Sequence, residues 1–168
     1  SKVKNVWIST LTADCASIFF YDPKNKIIGC SHAGWKGALN GIIKNTVKKF
    51  NELNSNNSDL IAVVGPCISK KNYKVKTDLF KKFIDQDKKN EIFFEKIGKE
   101  NYCFDLRGYI NKEISNLNIK NIENIPIITN PNVSIWDLNK LCKRLLNRIR
   151  TPANLNSSRS NPNWFSKS

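Results

Sequence analysis

Hydrophobic and polar positions change period along this chain, and each change marks an element. Two short apolar runs, 16–21 and 26–31, flank Asp22-Pro23-Lys24-Asn25. Asp, Pro and Asn are turn formers for separate reasons: side-chain capping, a preset φ, and tolerance of the left-handed region. The pattern predicts a β-hairpin. Before it, 3–11 reads as a strand with Val6, Ile8 and Trp7 packed. After it, 34–53 places Trp35, Leu39, Ile42, Ile43, Val47 and Phe50 on one stripe and reads as a single amphipathic helix. A short apolar strand, 60–64, stops on Gly65-Pro66-Cys67, where the chain must bend. Then come a helix over 75–84, a hairpin of 92–97 with 102–104 around residues 98–101, and a helix over 105–117 capped by Asp105. A strand over 124–129 and a helix over 134–150 follow, and 151–168, rich in Asn, Ser and Pro, reads as a disordered tail.

These elements, strands and helices alternating with hairpins, predict one domain over 1–150. Both faces of the first hairpin are apolar, Phe19 and Ile28 on one and Ile18, Phe20 and Ile27 on the other. A sheet apolar on both sides is expected to be covered on both sides. With Asp22 opposite Asn25, Ser17 faces Cys30 and Cys15 faces His32. Facing residues have Cβ atoms about 4.5–5.5 Å apart, close enough for one metal ion to touch thiol and imidazole, and a one-residue bulge would separate them onto opposite faces. Cys15 is otherwise a small core hydrophobe. His32, the single His of the chain, sits among Ser31, Ala33 and Gly34 rather than in an apolar stripe. The start of the following helix, with Gly34 and Gly37 permitting close backbone approach and Lys36 adding charge, is either an anion site or an ordinary strand-to-helix turn beside a solvated lysine. Cys67 is either turned to the site or a packed core thiol, and stays outside the metal set.

Composition narrows the classes. The 168 residues, 40% hydrophobic and 25% charged, suit a soluble globular domain. No apolar run approaches the ~18 residues of a membrane span, and the start lacks a signal-peptide core. It lies so near a strand that an N-terminal portion is expected to be missing. Five cysteines without a Cys-x-x-Cys pattern point to reduced thiols in a cytoplasm. The net charge of +14 admits nucleic acid, anionic membrane or small anions. It comes from Lys spread beside abundant Asn and Ile, and the Arg, aromatic and glycine motifs of dedicated nucleic-acid readers are missing.

Thr12-Ala13-Asp14-Cys15, His32-Ala33-Gly34-Trp35-Lys36-Gly37 and Gly65-Pro66-Cys67-Ile68, with Phe104-Asp105-Leu106 and Asn111, follow one another as in the YfiH-like or laccase-domain family, which the chain resembles from about residue 7 to 117. First labelled multicopper polyphenol oxidases, its members are regarded as purine nucleoside phosphorylases that also deaminate adenosine and phosphorolyse methylthioadenosine. The resemblance implies an α+β fold, a layered sandwich of mixed β-sheet flanked by helices, and a zinc site whose ligands include Cys15 and His32, with purine nucleoside and phosphate as substrates. It also implies a further, upstream His, which this chain lacks, and late Cys-Thr and Arg-rich motifs, which 126–168 does not match. Lys36 stands where relatives usually carry Arg, keeping the charge without the bidentate fork. A third ligand would have to come from another chain of a homo-oligomer, from Asp14 or Cys67 after rearrangement, or from a segment outside this sequence.

The leading expectation is a zinc-dependent purine nucleoside enzyme: Cys15 and His32 on the metal, Gly34, Lys36 and Gly37 on phosphate, and Asp14 as proton carrier, orienter of His32 or plain turn carboxylate. Copper-dependent phenol oxidation is a rival, but copper oxidases use several His ligands. A non-catalytic fragment of the family is the other.

Overall fold

The structure is a computed structural model, and it describes residues 1–3, 5–126, 128 and 129. The expected helix at 134–150 and the tail at 151–168 lie outside the described residues. The fold is α+β. A four-stranded mixed sheet has the order β2-β1-β3-β7, and a three-stranded sheet the order β4-β6-β5. The strands are β1 (Ala16–Asp22), β2 (Ile27–Ala33), β3 (Ile61–Val64), β4 (Lys74–Lys76), β5 (Phe94–Lys96), β6 (Asn101–Phe104) and β7 (Asn121–Asn124). The helices are α1 (Trp35–Leu39), α2 (Ile42–Asn51), α3 (Thr77–Gln86) and α4 (Leu106–Asn116). Among the described residues no helix is long and apolar enough to cross a membrane.

One face of the larger sheet is the core face. Ile18, Phe20, Ile27 and Ala33 are buried there with Ile43, Val47 and Phe50 of α2 and Ile110 and Ile114 of α4. Gly29 makes this packing possible. A Cβ at that position would lie 2.6 Å from the Phe50 ring, so the ring occupies the space a side chain would need. The smaller sheet and α3 enclose an aromatic cluster of Phe80, Phe83, Phe94, Tyr102, Phe104 and Tyr109. Its closest ring pairs are Phe80 on Tyr102 and Phe94 on Phe104, with centroids 4.3 and 4.6 Å apart.

The first hairpin forms, with a different register. Asp22 pairs with Ile27, and Ser17, not Cys15, faces His32; Phe19 faces Cys30. The turn supplies the cause. Asp22 Oδ1 accepts hydrogen bonds from the Lys24 and Asn25 amides at 2.9 and 3.0 Å, and its Oδ2 accepts from Asn25 Nδ2 at 2.8 Å. Asn25 is held inside the loop by these bonds, and Lys26 takes the left-handed conformation at φ 55°. The loop is therefore 23–26, and the pairing slides by two residues. Side chains alternate with period two, so a slide of two keeps every residue on its expected face.

Other expectations fail for identifiable reasons. Among the described residues of 3–11 there is no strand: Ser1 and Ile28 exchange backbone bonds of 3.1 and 2.6 Å at the edge of β2, and beyond them Trp7 and Leu11 are 95% and 94% exposed. The single helix over 34–53 is two helices, because Gly41 adopts φ 79° and starts α2 afresh. Asn40-Gly41 is the turn signal that the apolar stripe masks. The helix expected over 75–84 begins only at Thr77, since Lys74–Lys76 pairs with β6. The last strand lies earlier than 124–129, at Asn121–Asn124, parallel to β3. The outer face of the large sheet is not covered on the scale expected: among the described residues Phe19 stays 37% exposed there and Tyr21, Ile28 and Cys30 half-buried. The hairpin of β5 and β6 and the Asp105 cap stand as expected, with Asp105 accepting from the Gly108 amide at 2.9 Å.

Candidate functional site

The site residues meet at one end of the large sheet, on its outer face. His32 is the penultimate residue of β2 and is exposed; Cys15 immediately precedes β1 and is half-buried. Since Ser17 faces His32, and Cys15 is two residues from Ser17, Cys15 and His32 share a face as diagonal neighbours. Such neighbours lie about 7–8 Å apart, farther than the direct pair expected. The residue that takes the place of Cys15 opposite His32 is Ser17, which the shorter turn hides.

The β1–β3 side of the site was less legible. Ile18 pairs with Val64 and Phe19 with Val63. Past the strand ends the Gly65 amide donates to Ser17 O at 2.7 Å and the Ile68 amide to Asp14 O at 2.9 Å; these bonds are three residues apart, so the regular ladder, whose bonded pairs recur every second residue, is interrupted between them. Between those two bonds lie Cys15 on one segment and Cys67 on the other. Cys67 is fully buried and takes a further backbone bond from the Thr129 amide at 3.2 Å. Glycines lie against both Cys15 and Ser17. A Cβ on Gly34 would lie 2.7 Å from Cys15 Sγ, and one on Gly65 would fall on Ser17 Oγ. Gly37 is different: its nearest neighbours would be 3.5–3.9 Å away, ordinary contact.

Electrostatics bind the same group together. The Cys15 thiol is held above its ordinary range, first by burial, then by the Asp14 charge and by Cys67. Tyr73, which no sequence pattern marked, has its hydroxyl pushed up to about 12 by burial, with Cys15 and Asp14 adding to the effect. Asp14 is exposed and its Oδ1 accepts from Thr129 Oγ1 at 3.0 Å. Lys36 is exposed on α1, a helix of five residues whose dipole is correspondingly small.

Among the described residues no group of three His, Cys, Asp or Glu side chains is placed to hold a metal ion. Asp14 and Cys67 therefore do not complete a set with Cys15 and His32 here. Catalytic zinc normally takes three protein ligands and a water, so two donors on one face are an incomplete set.

Residues 1–134 match the family described as multi-copper polyphenol oxidoreductase laccase. The chain belongs to that family. Over 131 residues it is 40% identical to a purine nucleoside phosphorylase of Rickettsia conorii, covering 76% of this chain and 54% of that protein. It is 48% identical over 67 residues to the purine nucleoside phosphorylase YlmD of Bacillus subtilis, covering 39% of this chain and 24% of that one. The crystal structure of the hypothetical protein YfiH from Bacillus licheniformis superposes with a TM-score of 0.66 at 29% identity, over 70% of this chain and 46% of that one. The laccase-family chain thus spans about half the length of the Rickettsia relative. Its motif residues Cys15 and His32 fall on one sheet face of the shared fold.

Proposed function

We propose that this chain carries part of the catalytic face of a zinc-dependent purine nucleoside phosphorylase, with adenosine deaminase and methylthioadenosine phosphorylase activity, working in a reducing cytoplasm. The observation that carries the reading is the gathering of Cys15, His32 and the Gly34–Gly37 turn at one end of one sheet face, in a family whose relatives bear the phosphorylase name. Cys15 and His32 are the zinc ligands on this side of the site, and zinc would supply Lewis acidity there. Because the described donors do not complete its coordination, the steps below use this chain's own residues.

In phosphorolysis a phosphate oxygen bonds to ribose C1′ while the bond from C1′ to the purine nitrogen breaks. The purine leaves with that electron pair and takes up a proton. Lys36 attracts the phosphate, and the backbone of Gly34–Gly37 approaches it. In deamination a water oxygen bonds to C6 of adenine and ammonia leaves; Asp14, beside Cys15, takes the proton that the water loses. Copper is the poorer fit, since a single His does not make a copper oxidase site.

The test is a phosphate-dependent assay with metal analysis. Inosine or methylthioadenosine should release its base only when phosphate is added, adenosine should yield ammonia, and zinc should co-purify. Cys15→Ala should abolish metal and turnover together; full retention of both would sink the reading. The incomplete ligand set favours one other outcome, a folded but non-catalytic member of the family, which would show neither metal nor base release.

A further inference from the structure

We propose that the β2 edge at Cys30 and His32, with the bare outer face beside it, seats an added strand from the region that precedes the matched part in the family relatives. Hydrogen bonds already made define the edge. The Ser1 amine donates to Ile28 O at 2.6 Å and the Ile28 amide to Ser1 O at 3.1 Å. Ile28 therefore turns its N–H and C=O away from β1. β2 pairs with β1 without a bulge from Ile27 to Ala33, and along an antiparallel ladder these groups change sides residue by residue. Gly29 and Ser31 thus bond to β1, while Cys30 and His32 point their backbone groups outward at the sheet edge. No bond from the described residues takes up those four groups.

The face beside this edge is apolar. Cys30, Phe19 and Val63 form one row across β2, β1 and β3, and Ile28, Tyr21 and Ile61 form the next. All six keep part of their surface exposed. Contiguous apolar surface marks a contact area, and an edge with unpaired N–H and C=O groups takes up an extended segment. Two observations choose the occupant. The relatives carry the length, since the Rickettsia protein is matched over 54% of itself and the YfiH structure over 46%. Ser1 gives the direction: it already lies antiparallel to β2, so residues placed before it run on toward Cys30 and His32. With Ser1 opposite Ile28, the residue two places before Ser1 faces Cys30, and the residue four places before it faces His32. A second copy is the poorer occupant, because each chain carries +14 and high net charge of one sign keeps chains apart. The inference does not rest on the phosphorylase reading.

The experiment fuses the region of the Rickettsia conorii relative that precedes its match to the N-terminus of the full 168-residue chain. Amide hydrogen exchange, read by NMR, compares the fusion with the unextended chain. In the unextended chain the Gly29 and Ser31 amides should be protected and those of Cys30 and His32 should exchange freely. In the fusion the Cys30 and His32 amides should slow by about 100-fold, as inside a cooperative strand. Cys30→Pro removes only an outward N–H, where an edge strand tolerates proline, and should abolish the His32 protection in the fusion. Phe19→Glu, on the exposed face, should abolish it too and leave the exchange pattern of the unextended chain unchanged. Free exchange at Cys30 and His32 in the fusion, or retained protection in either variant, would overturn the inference. Protection of both amides in the unextended chain would also overturn it, giving the edge to a second copy if the mass is doubled and to another part of the chain if it is not. The readout uses no metal and no substrate, so a fusion that gains the protection yet releases no base would fail as a phosphorylase and keep the seat.

Discussion

Gly34 and Gly37 look equivalent in His32-Ala33-Gly34-Trp35-Lys36-Gly37, but they answer to different neighbours. Gly34 is glycine because the Cys15 sulfur lies where its Cβ would be, at 2.7 Å. Gly34→Ala must push that thiol aside, and overpacking of this kind costs about 1–3 kcal/mol. Gly37 has room for a methyl group and lies within α1, where alanine is favoured over glycine by about 1 kcal/mol. Chemical denaturation should therefore show Gly34→Ala destabilised and Gly37→Ala neutral or stabilised. If phosphate approaches the backbone at residue 37, Gly37→Ala should still raise the phosphate KM. Equal losses of stability in the two variants would contradict this assignment. At this scale the sequence named Cys15, His32 and Gly34 and left Cys67 open between the site and the core. Ser17 and Tyr73 belong to the group only because strands and loops distant in sequence bring them there, and no local spacing encodes that.

At the scale of elements, the first hairpin depends on one buried carboxylate. Burial alone would raise the Asp22 carboxyl, but the Ser55 hydroxyl, the Lys24 and Asn25 amides and the Asn25 side chain together more than offset this and hold it below its ordinary range. A depressed carboxyl contributes stability that is present above its unfolded value, about 3.9, and is lost as pH falls through the folded value. Asp22→Asn should thus destabilise the protein at pH 7, by about 1–3 kcal/mol for the hydrogen bonds weakened. The gap to the unsubstituted protein should narrow in denaturation curves taken below pH 4. A gap that is constant with pH would refute the role of the ionised form. The turn residues were legible from sequence; the loop length was not, because Lys26 enters the left-handed region without a glycine or asparagine to announce it. The break at Gly41 was legible in principle, yet an apolar stripe that continues through it outweighed the turn signal.

Across the whole molecule, charge is the dominant imbalance. Against a net +14, the ion pairs among the described residues are on the surface, such as Lys24–Asp59 at 2.8 Å and Lys70–Glu95 at 3.1 Å. Exposed pairs contribute about 0–1 kcal/mol each, while self-repulsion of a uniformly basic chain acts between many lysines at once. Salt screens both, with a Debye length near 10 Å at 0.1 M, and the repulsion is the larger sum. The melting temperature should rise between about 10 and 150 mM sodium chloride, measured by calorimetry; a fall would show that the ion pairs dominate. The alternation of strands and helices was readable at this scale because apolar stripes of both periods alternate along the chain, whereas the layered α+β class came with the family resemblance. The exposed outer face around Phe19 was not, since alternation says which side chains share a face and not what packs on it.

The sequence by itself determined parity and identity. It decided which residues form the first turn, which side chains share each face of the hairpin, where Asp105 caps α4, and that Cys15 and His32 come to one side of one sheet. These are local properties, set by a side-chain period of two, by capping chemistry and by turn propensity. Only the tertiary structure decided the offset between strands, which put Ser17 opposite His32 and brought 65–68 alongside 14–17. Strand offset is fixed by the loop conformation and by pairing with β3, about forty-five residues farther on, and a pattern that repeats every two residues is indifferent to a slide of two.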